Sequence, residues 1–408
     1  MKSLHKIFYT DPKNFEPIYK NRYEFETTVR LPLTIHPMNQ RDIFSLYFIP
    51  EISILNLCHQ VQENDTKLLN LFRELPDVAK KKFIDECIVD ELQNTNEIEG
   101  VRSSREEIVR SVRALENITH NEKNRFQSMI ISYDKLINGE LNNIDSPKDI
   151  RKLYDYLLDN EIENEDLPDG EIFRKDECSV LKKCGTQQVI HKGLYPESKI
   201  ISAIESLIQF LNSEDEIPLI IRTIIGHYYF GYIHPFYDGN GRTSRFISSL
   251  YLKRGYSPIT SISISRGCNI YLKEYLDLFE VTNKFNSRGE LNYFIKGFLK
   301  IIVSTQTLMI EELIEKKSLL DTIFNLITTD EKTKDKSDLE KNILFILAQD
   351  KLFNSQPGLI AMQLSDILEV SIQTMRKTLN NLVEQELVSF ELGRPKIFFI
   401  NQNFIENK

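Results

Sequence analysis

The residues from His234 to Arg245 place several reactive side-chain types within one short stretch, HPFYDGNGRTSR. A histidine can carry a proton near neutral pH, and an aspartate supplies a hard carboxylate oxygen that suits Mg²⁺. Two arginines supply forked donors for phosphate oxygens, and two glycines allow a ligand to approach the backbone closely. Together they predict a group-transfer site that combines nucleotide phosphates, a metal ion and a base.

Two helices must position this stretch. Pro235 disfavours helical geometry at His234, which predicts that the preceding helix, 217–233, ends there. A second helix is predicted to restart near Thr243. A glycine-rich loop followed by a helix N-terminus binds anions because its N–H groups point outward. Each feature alone is more often structural, since a lone histidine, a Gly-Asn-Gly turn or two arginines are common; their combination in this order favours a site.

The stretch matches HxFx(D/E)GNGRxxR at every specified position and therefore resembles the motif of the Fic family. The run HYYFGYIHPF before it, and KEYLDLFE and ELNYFIKGFL after it, resemble the flanking helices of that family, so the resemblance covers roughly 150–310. It implies a mainly α fold, a Fic-type helical bundle with a β-hairpin flap near 170–193. Most characterised members transfer AMP from ATP to a hydroxyl side chain of a target protein.

The resemblance also implies roles for individual residues. His234 would be the general base that takes the proton from a Ser, Thr or Tyr hydroxyl, and Phe236 would anchor the loop in the core. Asp238 would hold Mg²⁺ or Mn²⁺ against the α- and β-phosphates. The positions implied to bind ATP are Gly239, Asn240 and Gly241 around the phosphates, with Asn240 near the α-phosphate, Arg242 and Arg245 at the β- and γ-phosphates, and Tyr275 near adenine.

Upstream, NTNEIEGVRSS at 94–104 resembles the inhibitory motif (S/T)xxxE(G/N) of the family, with Thr95, Glu99 and Gly100 at the specified positions. A carboxylate paired with Arg245 would occupy donors meant for the γ-phosphate and repel that phosphate. The alternative is an ordinary helix end with Gly100 as its C-terminal glycine. In some Fic proteins the same glutamate helps to remove AMP, and the sequence leaves that activity open.

Composition shifts predict four segments. Residues 1–125 form an N-terminal helical region that carries the inhibitory motif, with 1–50 irregular because of its prolines; 126–327 form the Fic catalytic core. The polar stretch 328–338 is the linker candidate, and 339–408 have the order helix, helix, hairpin of a winged-helix domain. The alternative function is therefore a DNA-binding regulator whose Fic core senses nucleotide.

The charge of residues 339–408 argues against DNA binding. Residues 339–408 carry seven Lys/Arg against eight Asp/Glu, whereas DNA affinity depends on neutralising phosphates. The second predicted helix presents polar and basic side chains outward, namely Gln373, Thr374, Arg376, Lys377, Asn380 and Asn381, and Arg394 and Lys396 lie in the predicted wing. We therefore expect protein docking or dimerisation ahead of DNA binding, with a homodimer possible and the target protein unidentified.

The composition of the whole chain indicates which partners and which cellular compartment to expect. The chain has 408 residues and a net charge of −9, which argues against a general polyanion binder. No apolar run is expected to approach the ~20 residues of a membrane helix, and the N-terminus lacks the apolar core of a secretory signal. The five scattered cysteines predict reduced thiols in a cytoplasmic protein without a membrane partner.

Overall fold

The computed structural model describes residues 1–116, 125–181, 189–214 and 216–406. The predicted mainly α class is confirmed, and the strands form three small antiparallel sheets among the described residues. The helices are α1 (Leu4–Thr10), α2 (Phe15–Glu24), α3 (Ile52–Arg73), α4 (Asp77–Glu99), α5 (Arg105–Glu116), α6 (Gln127–Asn138), α7 (Pro147–Leu157), α8 (Glu197–Asn212), α9 (Leu219–Ile233), α10 (Asn240–Leu252), α11 (Pro258–Ser261), α12 (Ile264–Ile270), α13 (Leu272–Thr282), α14 (Asn292–Thr329), α15 (Asp338–Phe353), α16 (Ala361–Ile367), α17 (Ile372–Glu384) and α18 (Gln402–Glu406). The strands are β1 (Val29–Ile35), β2 (Phe44–Phe48), β3 (Ser179–Leu181), β4 (Val189–Lys192), β5 (Leu359–Ile360), β6 (Val388–Glu391) and β7 (Ile397–Ile400).

The chain divides into two compact units. The first comprises Met1–Thr66 and Ile88–Thr307, and the second comprises Lys67–Cys87 and Leu308–Lys408. The first unit thus contains residues from both sides of the predicted boundary at 125, and the four predicted segments stay a prediction.

Helix α9 lies at the centre of the first unit. It is apolar on all sides, as expected of a helix surrounded by others, and nearly all of its residues are buried. It packs against α8 and α10. The motif stretch follows directly from its C-terminus, so a deeply buried helix fixes the position of the site.

The first fifty residues correct the sequence analysis. They were expected to be irregular, but they form α1, α2 and the β1–β2 hairpin. Pro17 is in the first turn of α2, where a missing N–H costs no hydrogen bond. Pro32 lies where the register between β1 and β2 shifts, and Pro37 and Pro50 follow the ends of the two strands. These prolines therefore occupy the positions that helices and strands tolerate.

The predicted hairpin near 170–193 is present as β3 and β4. Ser179 pairs with Lys192 and Val180 with His191 in antiparallel register. The turn between the strands lies outside the described residues. This hairpin, β3 and β4 together, is called the flap below.

In the second unit, α15, α16 and α17 accompany a sheet with strand order β5-β7-β6. The apolar face of α17 is buried through Met375, Leu379 and Leu382, while its six side chains predicted to face outward are exposed. The winged-helix interpretation of this region stays a prediction, as does the linker at 328–338, where Thr333 is buried in the turn between α14 and α15.

Helix α14 meets the length and composition of a membrane span, and 56% of its most apolar window is buried within the protein. Such burial is usual for a core helix of a soluble fold, so this match is weak. Four of the five cysteines are described, and each is a free thiol: Cys58, Cys87, Cys178 and Cys268.

Candidate functional site

The predicted motif forms the turn between α9 and α10. His234 follows the last residue of α9 with a φ of 53°, in the left-handed region, which confirms the predicted helix end. Gly239 turns the chain with a φ of 78°, and α10 begins at Asn240. The helix therefore starts three residues before the predicted Thr243, and the N–H groups of its first turn face the loop, as in an anion site.

Phe236 and Asn240 hold this loop closed. The Phe236 ring is fully buried and stacks on Tyr154 with ring centroids 3.7 Å apart. The Phe236 N–H donates to Asn240 Oδ1 over 2.9 Å, and Asn240 Nδ2 donates to the Phe236 carbonyl over 2.8 Å. The side chain of Asn240 thus stabilises the loop, and its predicted contact with the α-phosphate stays a prediction.

Asp238 and Arg242 form an ion pair at the mouth of the loop. Arg242 Nη2 lies 3.0 Å from Asp238 Oδ2, and the Gly239 N–H donates to Asp238 Oδ1 over 2.6 Å. The arginine side chain is buried, whereas 44% of the aspartate side chain is exposed. Nε and Nη1 of Arg242 are buried without a hydrogen-bond partner among the described residues. Buried donors require acceptors, so this guanidinium is prepared for an anion.

The structure brings the two predicted motifs together at Arg245. Nη2 of this buried arginine lies 2.7 Å from Glu99 Oε1, Nε donates to Thr95 Oγ1 over 2.9 Å, and Nη2 also donates to the Thr95 carbonyl over 3.2 Å. Although burial opposes the charge, the Glu99 carboxylate raises the pKa of Arg245. Gly100, with a φ of 78°, ends α4 directly after Glu99.

Gly241 shows how closely Glu99 approaches the loop. A Cβ atom at this position would overlap the Glu99 carboxylate and would lie 2.9 Å from Arg245 Nη1. The carboxylate therefore occupies the space over the Gly-Asn-Gly backbone, where an anionic group of a ligand would otherwise approach. Only glycine at 241 leaves room for this arrangement.

His234 is kept neutral by its surroundings. Removal of water around the ring lowers the pKa of His234 far below its usual range, and the electrostatic effects of His191 and Arg174 lower it further. A neutral imidazole can accept a proton, which a base requires. The chain just after the flap reaches the residue before His234, because the Leu194 N–H donates to the Ile233 carbonyl over 3.0 Å.

Tyr275 lies in the core instead of on an open surface. Its hydroxyl is 2.9 Å from His227 Nε2, and the opposite nitrogen of that ring is 2.9 Å from Ser248 Oγ. The side chain is almost fully buried. The predicted role near adenine stays a prediction. Adenine could stack on the Tyr275 ring only if that ring became accessible.

Two buried charged residues escaped the sequence analysis. Glu91 accepts hydrogen bonds from the N–H and Oγ of Ser265, over 2.8 and 2.6 Å, and so joins α4 to the start of α12. It precedes Thr95 by four residues, and this spacing on one helix face could have indicated it. Arg174 lies in a polar segment without periodicity, and no signal in the sequence indicated it.

The fold and the site define a helical protein with a glycine loop at a helix N-terminus, a neutral histidine beside it and an internal carboxylate over the loop. The Fic/DOC family model matches residues 144–252. This part of the chain is therefore a Fic domain, and the predicted family resemblance is confirmed.

Individual relatives are similar over limited parts. The chain is 35% identical over 100 residues to Protein adenylyltransferase fic-1 of Caenorhabditis elegans, and the aligned segment covers 24% of this chain and only 18% of that relative. A Fic family protein structure from Desulfovibrio desulfuricans G20 matches with 16% identity and a TM-score of 0.48, covering 86% of this chain and 97% of that chain. Fic-1 of Caenorhabditis elegans matches with 20% identity and a TM-score of 0.42, covering 65% and 73% of the two chains.

Proposed function

We propose that this protein transfers AMP from ATP to a Ser, Thr or Tyr hydroxyl of a target protein, including itself, and that Glu99 inhibits the transfer. The observation that carries the proposal is the ion pair between Glu99 and Arg245 over 2.7 Å, placed on the glycine loop beside His234. The similarity to an adenylyltransferase over 100 residues supports AMP as the transferred group.

The phosphate groups of ATP fit the donors of the loop. The first turn of α10 offers main-chain N–H groups, and Arg242 offers two buried side-chain nitrogen atoms, Nε and Nη1, without partners among the described residues. Arg245 would bind the γ-phosphate once Glu99 has withdrawn. Gly241 leaves space for phosphates over the loop once Glu99 has withdrawn. In the related kinase-like branch of the family a bulkier residue occupies this position, so glycine here favours AMP transfer over phosphoryl transfer.

The reaction then requires one proton transfer by the chain. The acceptor oxygen forms a bond to the α-phosphorus, the bond from that phosphorus to the bridging oxygen of the β-phosphate breaks, and pyrophosphate leaves. His234 would take the hydroxyl proton, a role that requires its imidazole to be unprotonated before the reaction. The donors around the loop stabilise the charge on the phosphates.

Asp238 fits a role in holding Mg²⁺ or Mn²⁺. Its carboxylate is partly exposed at the loop, and it supplies a hard oxygen. Mg²⁺ commonly takes one or two carboxylates and completes its shell with phosphates and water. The metal ion would neutralise negative charge on the phosphates.

We expect Asp238→Ala to abolish transfer and to weaken nucleotide binding in Mg²⁺ more than in chelator, because metal and phosphates bind together. Isothermal titration with ATP, in Mg²⁺ and in excess chelator, measures this difference. Full turnover of the wild-type protein in excess chelator would contradict a role for the metal.

Labelling with radioactive ATP tests the proposal itself. Glu99→Gly protein incubated with Mg²⁺ and ATP carrying ³²P at the α-position should become labelled, and ATP labelled at the γ-position should leave no label. Intact-mass measurement should show the addition of AMP. Label from the γ-position would indicate phosphoryl transfer, and no label from either, on the chain or on added protein substrates, would reject the proposed activity.

A second activity, removal of AMP, is favoured by one observation. About 20% of the Glu99 side chain is exposed while it lies over Gly241, so a water molecule could reach its carboxylate beside a bound phosphate. Incubation of AMP-modified Glu99→Gly chain with unmodified wild-type protein tests this: release of AMP that Glu99→Ala protein cannot produce would establish it.

A further inference from the structure

Arg174 lies before the flap, and its side chain is fully buried. Its guanidinium donates three hydrogen bonds, all to main-chain carbonyl oxygens. The acceptors are those of His234 over 2.9 Å, Leu194 over 2.8 Å and Asp176 over 2.5 Å. In addition, the main-chain N–H of Arg174 donates to the Pro235 carbonyl over 3.2 Å.

These carbonyls belong to residues that flank the flap on both sides and to His234, the residue proposed as the base. Asp176 precedes β3, and Leu194 follows β4. The third acceptor belongs to His234, whose left-handed φ of 53° is uncommon for a residue other than glycine. One side chain thus joins both ends of the hairpin to the residue proposed to act as the base.

The chemistry of this arrangement argues against simple core filling. Within the described ranges, no carboxylate lies at ion-pair distance from Arg174, and burial lowers the pKa of its guanidinium. A buried charge without an anionic partner is costly, and an apolar side chain of similar size is often no less stable. What an apolar side chain could not do is hold three carbonyl oxygens at fixed positions.

Gly193 makes this contact possible. A Cβ atom at 193 would overlap the Arg174 Nη2 atom and would lie 2.9 Å from the Cβ of His234. The backbone of Gly193, just after β4, therefore packs against both the arginine and the histidine, with no space for a side chain. The three residues form one packed junction.

We propose that Arg174 is a positioning residue that fixes the flap to His234, so that an acceptor hydroxyl aligned by the flap meets the imidazole in reactive geometry. This inference rests on the proposed function. Misplacement of reacting groups by about 1 Å can lower a rate by about 100-fold. ATP itself is held by other residues, namely those of the glycine loop and α10.

The test compares Arg174→Met with the parent, both carrying Glu99→Gly so that transfer is measurable. We expect kcat for self-labelling at saturating ATP to fall about 100-fold, while KM for ATP changes less than about threefold. Arg174→Lys, which keeps the charge and one donor group, should fall in between. Backbone hydrogen exchange at Gly193 and Leu194 should become faster in Arg174→Met.

Arg222 offers a matched control. It also donates from its guanidinium to main-chain carbonyls, those of Ser213 and Ile217, but at the C-terminal end of α8 and the start of α9 instead of at the flap. Arg222→Met should lower thermal stability without lowering kcat or changing exchange at Gly193 and Leu194.

The outcomes separate the two ideas. If Arg174→Met matches Arg222→Met in both kcat and exchange, Arg174 has only a structural role and the inference is wrong. If the Glu99→Gly parent transfers no nucleotide, the proposed function is wrong. The exchange at Gly193 and Leu194 then still decides whether Arg174 holds the flap to His234.

Discussion

At His234 the main chain and the ring have separate tasks. The carbonyl accepts a hydrogen bond from Arg174, and the desolvated ring is kept neutral by a lowered pKa. The ring is not among the donors available to phosphate oxygens, which come from the loop, Arg242 and Arg245. If His234 is the proposed base, its imidazole acts on the acceptor hydroxyl, and its loss would affect transfer and not nucleotide affinity.

We therefore expect His234→Ala to abolish AMP transfer and to change the Kd for ATP by less than about threefold, because general base catalysis alone is worth about 100- to 10,000-fold. Label transfer and titration calorimetry in the Glu99→Gly background measure the two quantities. Retained transfer would remove His234 from the role of base, and lost ATP binding would mean that the ring supports the loop.

The proposed inhibition by Glu99 runs through its ion pair with Arg245, so the effects of changing the two residues should depend on each other. We expect Glu99→Gly to increase self-labelling by about one to two decades, because a charge-assisted pair is worth about 1.5–3 kcal/mol. Adding Arg245→Ala should cancel the gain, since the released guanidinium is then missing. The initial rate of labelling from α-³²P-ATP measures both variants.

Glu97→Gly is the matched control for this pair. Glu97 lies in the same last turn of α4, and its carboxylate binds Gln93 and Asn269 instead of the motif. If Glu97→Gly activates as strongly as Glu99→Gly, loosening of the helix end explains the gain, and the ion pair with Arg245 does not.

The residues of the site could be predicted where the chemistry is contiguous in the chain. The motif from His234 to Arg245 is such a case, and the pairing of Glu99 with Arg245 follows from two short motifs and opposite charge. Arg174 could not be found this way, because its acceptors are main-chain carbonyls that carry no sequence signal. The burial of Tyr275 also depends on packing between α9 and α13, which single residues do not specify.

Among the elements, α4 is the one that carries Thr95 and Glu99, the residues proposed to inhibit transfer. Glu91, Thr95 and Glu99 lie at intervals of four and therefore on one face of the helix. Glu91 binds Ser265 at the start of α12 and lies 3.3 Å from the Tyr133 hydroxyl. This buried contact places α4 so that its C-terminal end reaches the glycine loop.

Glu91 makes that contact dependent on pH. Burial raises the pKa of Glu91 to about 7, although hydrogen bonds from Ser265 and the charge of Arg245 lower it. The folded protein therefore holds a proton that the unfolded chain releases above its ordinary pKa of 4.5. The resulting stabilisation is present below about pH 4.5 and is lost as the pH rises to about 7.

We expect the stability of the wild-type protein relative to Glu91→Gln to fall as the pH rises from about 4.5 to about 7, since glutamine cannot titrate. Thermal unfolding of both proteins across this range measures the difference in Tm. A constant difference would show that Glu91 has the same protonation state in the folded and unfolded chains.

Elements were predictable where an apolar pattern was long. The helix predicted at 217–233 agrees with the observed α9, Leu219–Ile233, because burial of a long apolar face dominates local preference. The prolines before residue 50 misled the analysis, since proline excludes helix and strand interiors but not first turns, register shifts and strand ends. Which of these a proline occupies is decided by neighbouring elements.

For the whole molecule, charge decides between the competing interpretations of the C-terminal region. The exposed face of α17 offers Arg376 and Lys377 together with amides and hydroxyls, which suits contact with bases or phosphates. Yet the chain carries a net charge of −9, and residues 339–408 have no excess of basic side chains. Binding to DNA gains most of its affinity from release of counterions by Lys and Arg.

We therefore expect the full chain to bind duplex DNA no more tightly than weak non-specific binding, with a Kd of about 1 µM or weaker at physiological salt. Fluorescence anisotropy with labelled duplexes at low and physiological salt measures this, using wild type, Arg376→Ala/Lys377→Ala and the control Lys148→Ala/Lys273→Ala. The control removes the same charge from exposed positions outside α17.

Nanomolar binding that declines steeply with salt, and that only the α17 variant loses, would overturn this expectation and make DNA the partner of that helix. Equal weakening by both double variants would instead indicate a general effect of charge, as expected for a surface on which no helix is shaped for a DNA groove.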